Sequence, residues 1–256
     1  MRPLVYSLLV ACCLIGPLFS WAAEESEPPL VVAVAANFAR AAQDISTQFE
    51  RQTGVSVRLV VGSTGLLFAQ IRQGASVDVF LAADRERPRR LAALQSSNAS
   101  VPVTYTRGQL ALWWPSASGE VSLFRFLQQA RVIAIANPML APYGLAAQTV
   151  LNDLGAPAVG SKLVLSQNIG TTFSQISAGS VDGGFVALTQ LLAAGVPDAQ
   201  YLVMPEEMHP PILQAAVVTA TGARRANADA FLAFLISPSI QAQLAQWGYG
   251  AVEGSG

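Results

Sequence analysis

Four short segments of the sequence place hydroxyl, amide or glycine residues where a strand pattern ends and a helical pattern begins. They are Ala35-Ala36-Asn37, Gly62-Ser63-Thr64-Gly65, Ala141-Pro142-Tyr143-Gly144 and Gln167–Thr172. Unpaired N–H groups and the helix dipole at such a helix N-terminus attract anions. None of the four segments contains Arg, Lys, Asp or Glu. The pattern therefore predicts an oxyanion site built from neutral hydrogen-bond donors.

Each junction also has a purely structural interpretation. Asn, Ser and Thr are common helix N-caps, each stabilising a helix by roughly 1 kcal/mol, and a Tyr often serves only to pack. We expect Asn37 to cap the helix that follows it and also to donate to a bound anion. The repetition of the pattern at four junctions, rather than any single junction, favours the ligand site.

The elements that must position these junctions follow a regular order. Apolar or alternating segments typical of strands precede segments with apolar residues at helical spacing, and glycines such as Gly54 and Gly74 end the helices. The order restarts near Gln109 and continues to Gln246. Alternating strands and helices are typical of parallel α/β sheets, so the sequence indicates two α/β units in tandem.

Composition and charge exclude several classes of protein. The chain of 256 residues is 52% hydrophobic and 12% charged, with a formal net charge of −1. These values are not those of a disordered chain. Only the short Arg85–Arg90 segment is rich in arginine, so no basic surface for nucleic acid is expected.

Residues 1–23 are predicted to be a signal peptide. Arg2 supplies a positive start, Leu4–Phe19 is an apolar run, and small residues near Ala22 suit cleavage. The apolar run is short and contains a proline, which disfavours a membrane-spanning anchor. A lipoprotein processing box at Leu9–Cys12, which would lipidate the chain, is the alternative.

Residues that could support metal or covalent chemistry are few. Both cysteines, Cys12 and Cys13, lie in the predicted signal peptide, and His209 is the only histidine. Zinc sites built on Cys and His are therefore excluded, and no nucleophile motif lies near His209 to form a triad. Asp78 and Asp84 are expected to serve turns and caps. An enzyme is not expected.

Five segments carry a family resemblance. They are AANF at 35–38, GSTGLLFAQIRQGASVDVFLAAD at 62–84, IANPMLAPYGLAA at 135–147, QNIGTTFSQISAGSVDGGFVALTQL at 167–191 and FLAFLISPSIQAQLAQWGYG at 231–250. In this order they resemble the periplasmic molybdate-binding component of an ABC transporter. The resemblance implies an α/β, type II periplasmic binding protein fold with two lobes, each a mixed sheet flanked by helices, and the ligand in the interlobe cleft. It also implies a periplasmic monomer that delivers its ligand to a membrane permease.

The resemblance further implies where the lobes divide. The chain is expected to cross between lobes near Tyr105–Gln109 and again near His209–Leu213. Lobe one then comprises residues 29–107 and 213–256, and lobe two comprises residues 108–212. Hinge bending at the two crossings would close the lobes over the ligand.

The site residues that the resemblance implies come from both lobes. They are Ala36, Asn37 and either Ser63 or Thr64 in lobe one, and the backbone N–H groups of Tyr143 and Ile169 in lobe two. Some relatives use a Tyr in the segment that matches GFVAL, where this sequence has Ala187. We expect the Tyr143 hydroxyl to take that role. No cofactor is implied, and molybdenum would be bound only as the oxyanion.

The residue types suit the implied ligand. Molybdate and tungstate are tetrahedral dianions without a proton at neutral pH, so they accept hydrogen bonds and donate none. Phosphate usually keeps a proton and would lack an acceptor here, at a cost of roughly 1–3 kcal/mol. Sulfate is also a bare dianion, and only the size of the cavity can select against it. Molybdate and tungstate are nearly equal in size and charge, so both are expected to bind.

Four other interpretations remain at the level of sequence. The ligand could be another oxyanion such as sulfate, or a metal cation such as ferric iron. Iron-binding relatives of this fold use clustered tyrosines, whereas the tyrosines after the predicted signal peptide are scattered along the sequence, at positions 105, 143, 201 and 249. A hydrolase would need a base beside Ser63. A regulator would need a DNA-binding domain, for which we expect no room outside residues 30–250.

Overall fold

The computed structural model describes residues 28–95, 99–154 and 157–252. Within these residues the strands are β1 (Leu30–Ala35), β2 (Val57–Gly62), β3 (Val79–Ala82), β4 (Val103–Gly108), β5 (Leu110–Trp113), β6 (Ile133–Ala136), β7 (Leu163–Ser166), β8 (Gly183–Ala187), β9 (Tyr201–Val203) and β10 (Ile212–Val218). The α-helices are α1 (Ala39–Thr53), α2 (Thr64–Arg72), α3 (Glu86–Leu94), α4 (Leu123–Gln129), α5 (Pro142–Asp153), α6 (Ile169–Ser177), α7 (Leu188–Ala193), α8 (Arg224–Leu235) and α9 (Pro238–Gln246). The predicted signal peptide lies outside the described residues.

The strands form two five-stranded sheets of the same design. The first has the order β2-β1-β3-β10-β4 and the second the order β7-β6-β8-β5-β9. In each sheet the first three strands are parallel, and the last two pair antiparallel. Two mixed sheets, each flanked by helices, confirm the predicted two-lobe α/β fold.

Strand β1 lies in the interior of the first sheet, and its sequence shows why. All six residues of LVVAVA are buried, because helices cover both faces of the sheet. Val32 and Val34 lie in the core with α1, α8 and α9, whereas Ala33 lies in the core with α2 and α3. A strand buried on both faces is expected to be continuously apolar. Packing on both faces therefore holds the end of β1 in place at Ala35, where the first junction begins.

Helix α1 ends as the sequence predicts. Ala42, Ile45 and Phe49 recur at helical spacing and are buried in the core. Gly54 has φ of 75° and closes the helix, donating its N–H to the Glu50 carbonyl at 2.9 Å. A left-handed conformation of this kind favours glycine, which has no Cβ.

The chain passes between the sheets twice. It leaves the first sheet after Gly108 and enters the second at Leu110, and it returns between Val203 and Ile212. Gly108 and Ile212, which the prediction assigned to lobe two, thus lie in strands of the first sheet. The exact lobe boundaries stay a prediction.

Four elements were not predicted: β4, α4, α7 and β9. Helix α7 follows β8 without a loop. The segment GFVALTQLLA is mostly apolar and has no glycine or proline at the point where the strand ends and the helix begins. The Gln190 side chain stabilises the start of this helix, since its Oε1 accepts the Ala187 N–H at 3.0 Å. No helix in the described ranges is both long and apolar enough to cross a membrane.

Candidate oxyanion-binding site

The structure brings the four junctions together between the two sheets. One small cavity, of about 10 Å³, is lined by residues of all four. All six residues predicted for the site are among them: Ala36, Asn37, Ser63, Thr64, Tyr143 and Ile169. The cavity therefore gathers side chains of both sheets around one small space.

Ser63 presents a free hydroxyl. It occupies the N-cap position of α2 with extended backbone, yet its side chain makes no capping hydrogen bond. Its Oγ is buried and has no hydrogen-bond partner within the described residues. The neighbouring Thr64 hydroxyl instead accepts the Ala83 N–H at 3.0 Å. Of the two hydroxyls proposed for the second loop, the one at Ser63 is unengaged.

Asn37 lies in the cavity wall but does not cap α1, so that prediction is wrong. It is the middle residue of a 3-10 turn (Ala36–Phe38), and α1 begins only at Ala39, with Phe38 at its N-cap. Its Nδ2 donates to Gln214 Oε1 at 2.8 Å. The inserted turn moves the helix start past Asn37, which leaves its amide to a buried partner. An amide nitrogen carries two hydrogens, so one remains for a ligand.

Tyr143 is the second residue of α5 and is only 1% exposed. Its hydroxyl is buried without a hydrogen-bond partner in the described part of the chain. Burial raises the pKa of this hydroxyl well above its ordinary value, and the nearby Tyr249 raises the pKa further. The Asn37 side chain, which approaches without a well-formed hydrogen bond, lowers this pKa in part. The group therefore stays protonated and can donate.

Helix N-termini supply the backbone donors. Asn168 caps α6, because its Oδ1 accepts the Thr171 N–H at 3.0 Å and its carbonyl accepts the Thr172 N–H at 3.1 Å. The N–H groups of Ile169 and Gly170 precede these bonds and have no partner inside the helix. Ala36, as the first residue of its turn, is in the same position.

Carboxylates are kept away from the cavity. None of the described residues that line it is charged. Asp78 is buried, where its Oδ2 accepts the Val31 N–H at 2.8 Å and its Oδ1 lies 3.3 Å from Arg224 Nε. Asp84 accepts the Arg87 N–H at 2.8 Å. Both acids thus have the structural roles that the sequence predicts.

Comparison with known proteins fits this geometry. The family model described as bacterial extracellular solute-binding protein matches residues 30–250. The chain belongs to this family. The molybdate-binding protein ModA of Azotobacter vinelandii is 35% identical over 237 residues, which cover 91% of this chain and 93% of the relative. ModA of Rhodobacter capsulatus is 34% identical over 222 residues, covering 86% and 87% of the two chains.

A solved structure supports the fold of this solute-binding protein. The Azotobacter vinelandii periplasmic molybdate-binding protein superposes on it with a TM-score of 0.81 at 34% identity. The match covers 88% of this chain and 100% of that chain. The two-lobe architecture is therefore common to both.

Three residues behind Asn37 were missed by the sequence reasoning: Gln214, Tyr105 and Tyr249. Gln214 is fully buried, and the Tyr105 hydroxyl donates to its Oε1 at 3.3 Å. The Tyr249 hydroxyl donates to the Asn37 carbonyl at 3.1 Å. A signal for Gln214 did exist, since it is the lone polar residue in the apolar strand ILQAAVV.

Tyr105, Tyr143 and Tyr249 form what we name the tyrosine cluster. Their hydroxyls are close enough to influence one another's pKa. These tyrosines are scattered along the sequence but lie together in the fold, contrary to the prediction. Burial raises the pKa of each member, which disfavours the phenolate that would bind a metal. No three His, Cys, Asp or Glu residues gather as a metal site in the described ranges.

A larger cavity of about 390 Å³ lies beside the small one and shares Ala36 and Asn37 with it. Its other walls come from α1, α7 and residues 246–249. Arg40 and Asp44 form an ion pair there, 3.4 Å between Nε and Oδ2. This cavity includes residues of only one of the four junctions, whereas the smaller, charge-free cavity is lined by all four and is the better oxyanion site.

Proposed function

We propose that this solute-binding protein captures molybdate, and also tungstate, in the cleft between its lobes and delivers it to the membrane permease of an ABC transporter. It acts as a binding protein without catalytic turnover. One observation carries the proposal: two buried, unpartnered hydroxyls, from Ser63 and Tyr143, line the same uncharged cavity. The molybdate-binding function of its relatives supports the choice of ligand.

Energetics explain why the two hydroxyls indicate a ligand. A buried hydrogen-bond donor without a partner costs about 1–3 kcal/mol, so a folded protein rarely keeps two of them side by side. Hydrogen bonds to an ion are roughly twice as strong as neutral ones. An oxyanion that accepts from both groups therefore turns an unfavourable arrangement into a favourable one.

The same donors account for the proposed selectivity. Molybdate and tungstate accept hydrogen bonds at all four oxygens, and the cavity walls offer hydroxyl, amide and backbone N–H donors. A protonated phosphate needs an acceptor, and no carboxylate lines the cavity. We expect sulfate, which is smaller, to leave some donors out of reach, so that it binds more weakly.

Closure of the lobes is the proposed capture step. Ser63 and Asn37 come from the first sheet's side of the cleft, and Tyr143 and Ile169 from the second's. The lobes also touch beside the cavity, since the Gly65 N–H donates to the Leu140 carbonyl at 2.8 Å and Arg87 Nη2 to the Met139 carbonyl at 3.2 Å. We propose residues 29–107 plus 213–256 as lobe one and 108–212 as lobe two, with the hinges at Gly108 and Ile212, which lie at the ends of the first-sheet strands β4 and β10.

The proposed route begins with export. Residues 1–23 act as the signal peptide, and the processed protein works in the periplasm as a monomer. Its partner there is the membrane permease, which receives the closed, loaded form.

Calorimetric titration of the purified protein with molybdate, tungstate, sulfate and phosphate, at matched ionic strength, tests the proposal. We expect tight one-to-one binding of molybdate and tungstate, weaker binding of sulfate and no heat with phosphate. Preferential binding of sulfate or phosphate would overturn the ligand assignment. No heat with any of the four would overturn the oxyanion site itself.

A further inference from the structure

Gln214 lies where the chain returns from the second sheet to the first. It belongs to β10 and pairs with Thr106 of β4, after which the register shifts so that Ala215 pairs with Thr104. Tyr105 is thereby left without a partner in the ladder. Irregularities of this kind re-aim side chains, and here the Tyr105 hydroxyl reaches Gln214.

The carbonyl end of the Gln214 amide is fixed by two donors. Oε1 accepts from Asn37 Nδ2 at 2.8 Å and from the Tyr105 hydroxyl at 3.3 Å. With Asn37 Nδ2 as the donor, the atom that faces it is the Gln214 oxygen, so the two amides fix each other's orientation. This bond uses one of the two hydrogens on Asn37 Nδ2.

The nitrogen end of the Gln214 amide faces the other lobe. Nε2 is buried and has no partner in the described residues. A Cβ added to Gly108 would lie 3.1 Å from this nitrogen and would overlap the Tyr143 hydroxyl. Nε2 and the Tyr143 hydroxyl therefore lie together against the bare Cα of Gly108, the residue at which the chain leaves the first sheet.

We propose that Gln214 is a positioning residue that aims donors from both lobes at the oxyanion. Its Oε1 holds the Asn37 amide, and its Nε2–H donates to the Tyr143 oxygen in the loaded state, which directs the Tyr143 hydrogen to the ligand. The inference rests on the proposed function. Gln suits the role because it accepts and donates at once, whereas an ionised Glu only accepts.

The nearly isosteric variant Q214E tests the role through pH. Its ionised carboxylate accepts from Asn37 and Tyr105 but cannot donate to Tyr143, and its charge repels the ligand. Its protonated form donates again. Buried glutamates can have pKa values of about 8 or 9, so titration should fall between about pH 6 and pH 9. The tyrosine cluster, which surrounds Asn37 and Gln214, stays protonated in this range because burial raises each pKa.

The measurement is the molybdate Kd of wild type and Q214E across that pH range. We expect Q214E to bind at least about tenfold more weakly at the upper end than at the lower end, while wild type and the control Q48E change little. The control alters Gln48, which donates to Gln243 at 2.9 Å and does not line the cavity. If wild type binds and Q214E follows it at every pH, the role of Gln214 is refuted. If wild type binds no oxyanion, the proposed function falls as well.

A second measurement remains if Q214E does not fold. In the Met variant Q214M, of similar length, Tyr143 is no longer aimed, so Y143F should weaken binding less than it does in wild type. Such non-additivity is the signature of groups that act together. Strictly additive losses would refute the link between Gln214 and Tyr143.

Discussion

The variant S63A tests whether Ser63 serves to bind the ligand or to cap helix α2. An N-cap serine replaced by alanine destabilises a protein by about 0.5–2 kcal/mol. Here the Ser63 hydroxyl makes no capping bond and is buried without a partner in the described chain. Its removal abolishes an unsatisfied group, so the free energy of unfolding without ligand should stay the same or rise.

The effect of S63A on ligand binding should have the opposite sign. A hydrogen bond to a charged group contributes about 1.5–3 kcal/mol, which corresponds to a loss of affinity of about 10- to 150-fold. We therefore expect S63A to be at least as stable as wild type without ligand and markedly weaker in binding molybdate.

Two assays test these opposite effects on stability and on affinity: denaturant unfolding without ligand, and calorimetric titration with molybdate. S46A is the matched control, because Ser46 Oγ is also buried and unpartnered among the described residues but lies in α1, outside the cavity. S46A should leave Kd unchanged. A loss of stability in S63A with an unchanged Kd would show that Ser63 is only a cap.

Three further outcomes follow from the site. N37D should weaken molybdate binding at least about a hundredfold, since two unit charges 4 Å apart repel by about 4 kcal/mol at an effective dielectric of 20. Calorimetry measures this, with N152D, a substitution at an exposed position of α5, as the control. A Kd of N37D equal to that of wild type would contradict the prediction. Y143F should lower affinity about tenfold without loss of stability, whereas Y201F should not, because the Tyr201 hydroxyl bonds Asp198 outside the cavity. The free energy of unfolding should fall as pH rises above about 10. Above that pH the tyrosines lose their protons in the unfolded state, whereas the raised pKa values keep the tyrosine cluster protonated in the folded state. Denaturant unfolding between about pH 9 and pH 11 measures this, and an unfolding free energy that does not change with pH would disprove it.

The sequence predicted what depends on neighbouring residues. The continuous apolar run of β1 and the left-handed Gly54 are local, so their patterns are visible in a short window. The strand-to-helix junctions are local as well. The two junctions of each sheet lie close together because the carboxyl ends of parallel strands lie at one edge of a sheet. The two-lobe fold then brings both pairs of junctions to one cavity.

What the sequence did not predict depends on contacts between distant segments. Asn37 and Gln214 are 177 positions apart, and nothing in either segment shows that β10 brings them together. That contact, with the 3-10 turn, is also why Asn37 does not act as a cap. The tyrosine cluster joins three separate segments in the same way. Helix α7 was missed for a local reason, because no breaker separates it from β8.

The unpartnered donors bear on how the lobes behave without ligand. In the closed arrangement the Ser63 and Tyr143 hydroxyls are both buried, at about 1–3 kcal/mol each when unpartnered. An open cleft would let water satisfy them, so closure without an oxyanion is penalised by about 2–6 kcal/mol, or roughly 30-fold to more than 10⁴-fold in population. A bound dianion removes this penalty because it accepts from both groups, which is the differential affinity that a population shift requires. If these donors bind the oxyanion as proposed, the groups that select the ligand also disfavour closure of the empty protein. A variant that removes one, such as S63A, should then close more readily when empty while binding molybdate less tightly.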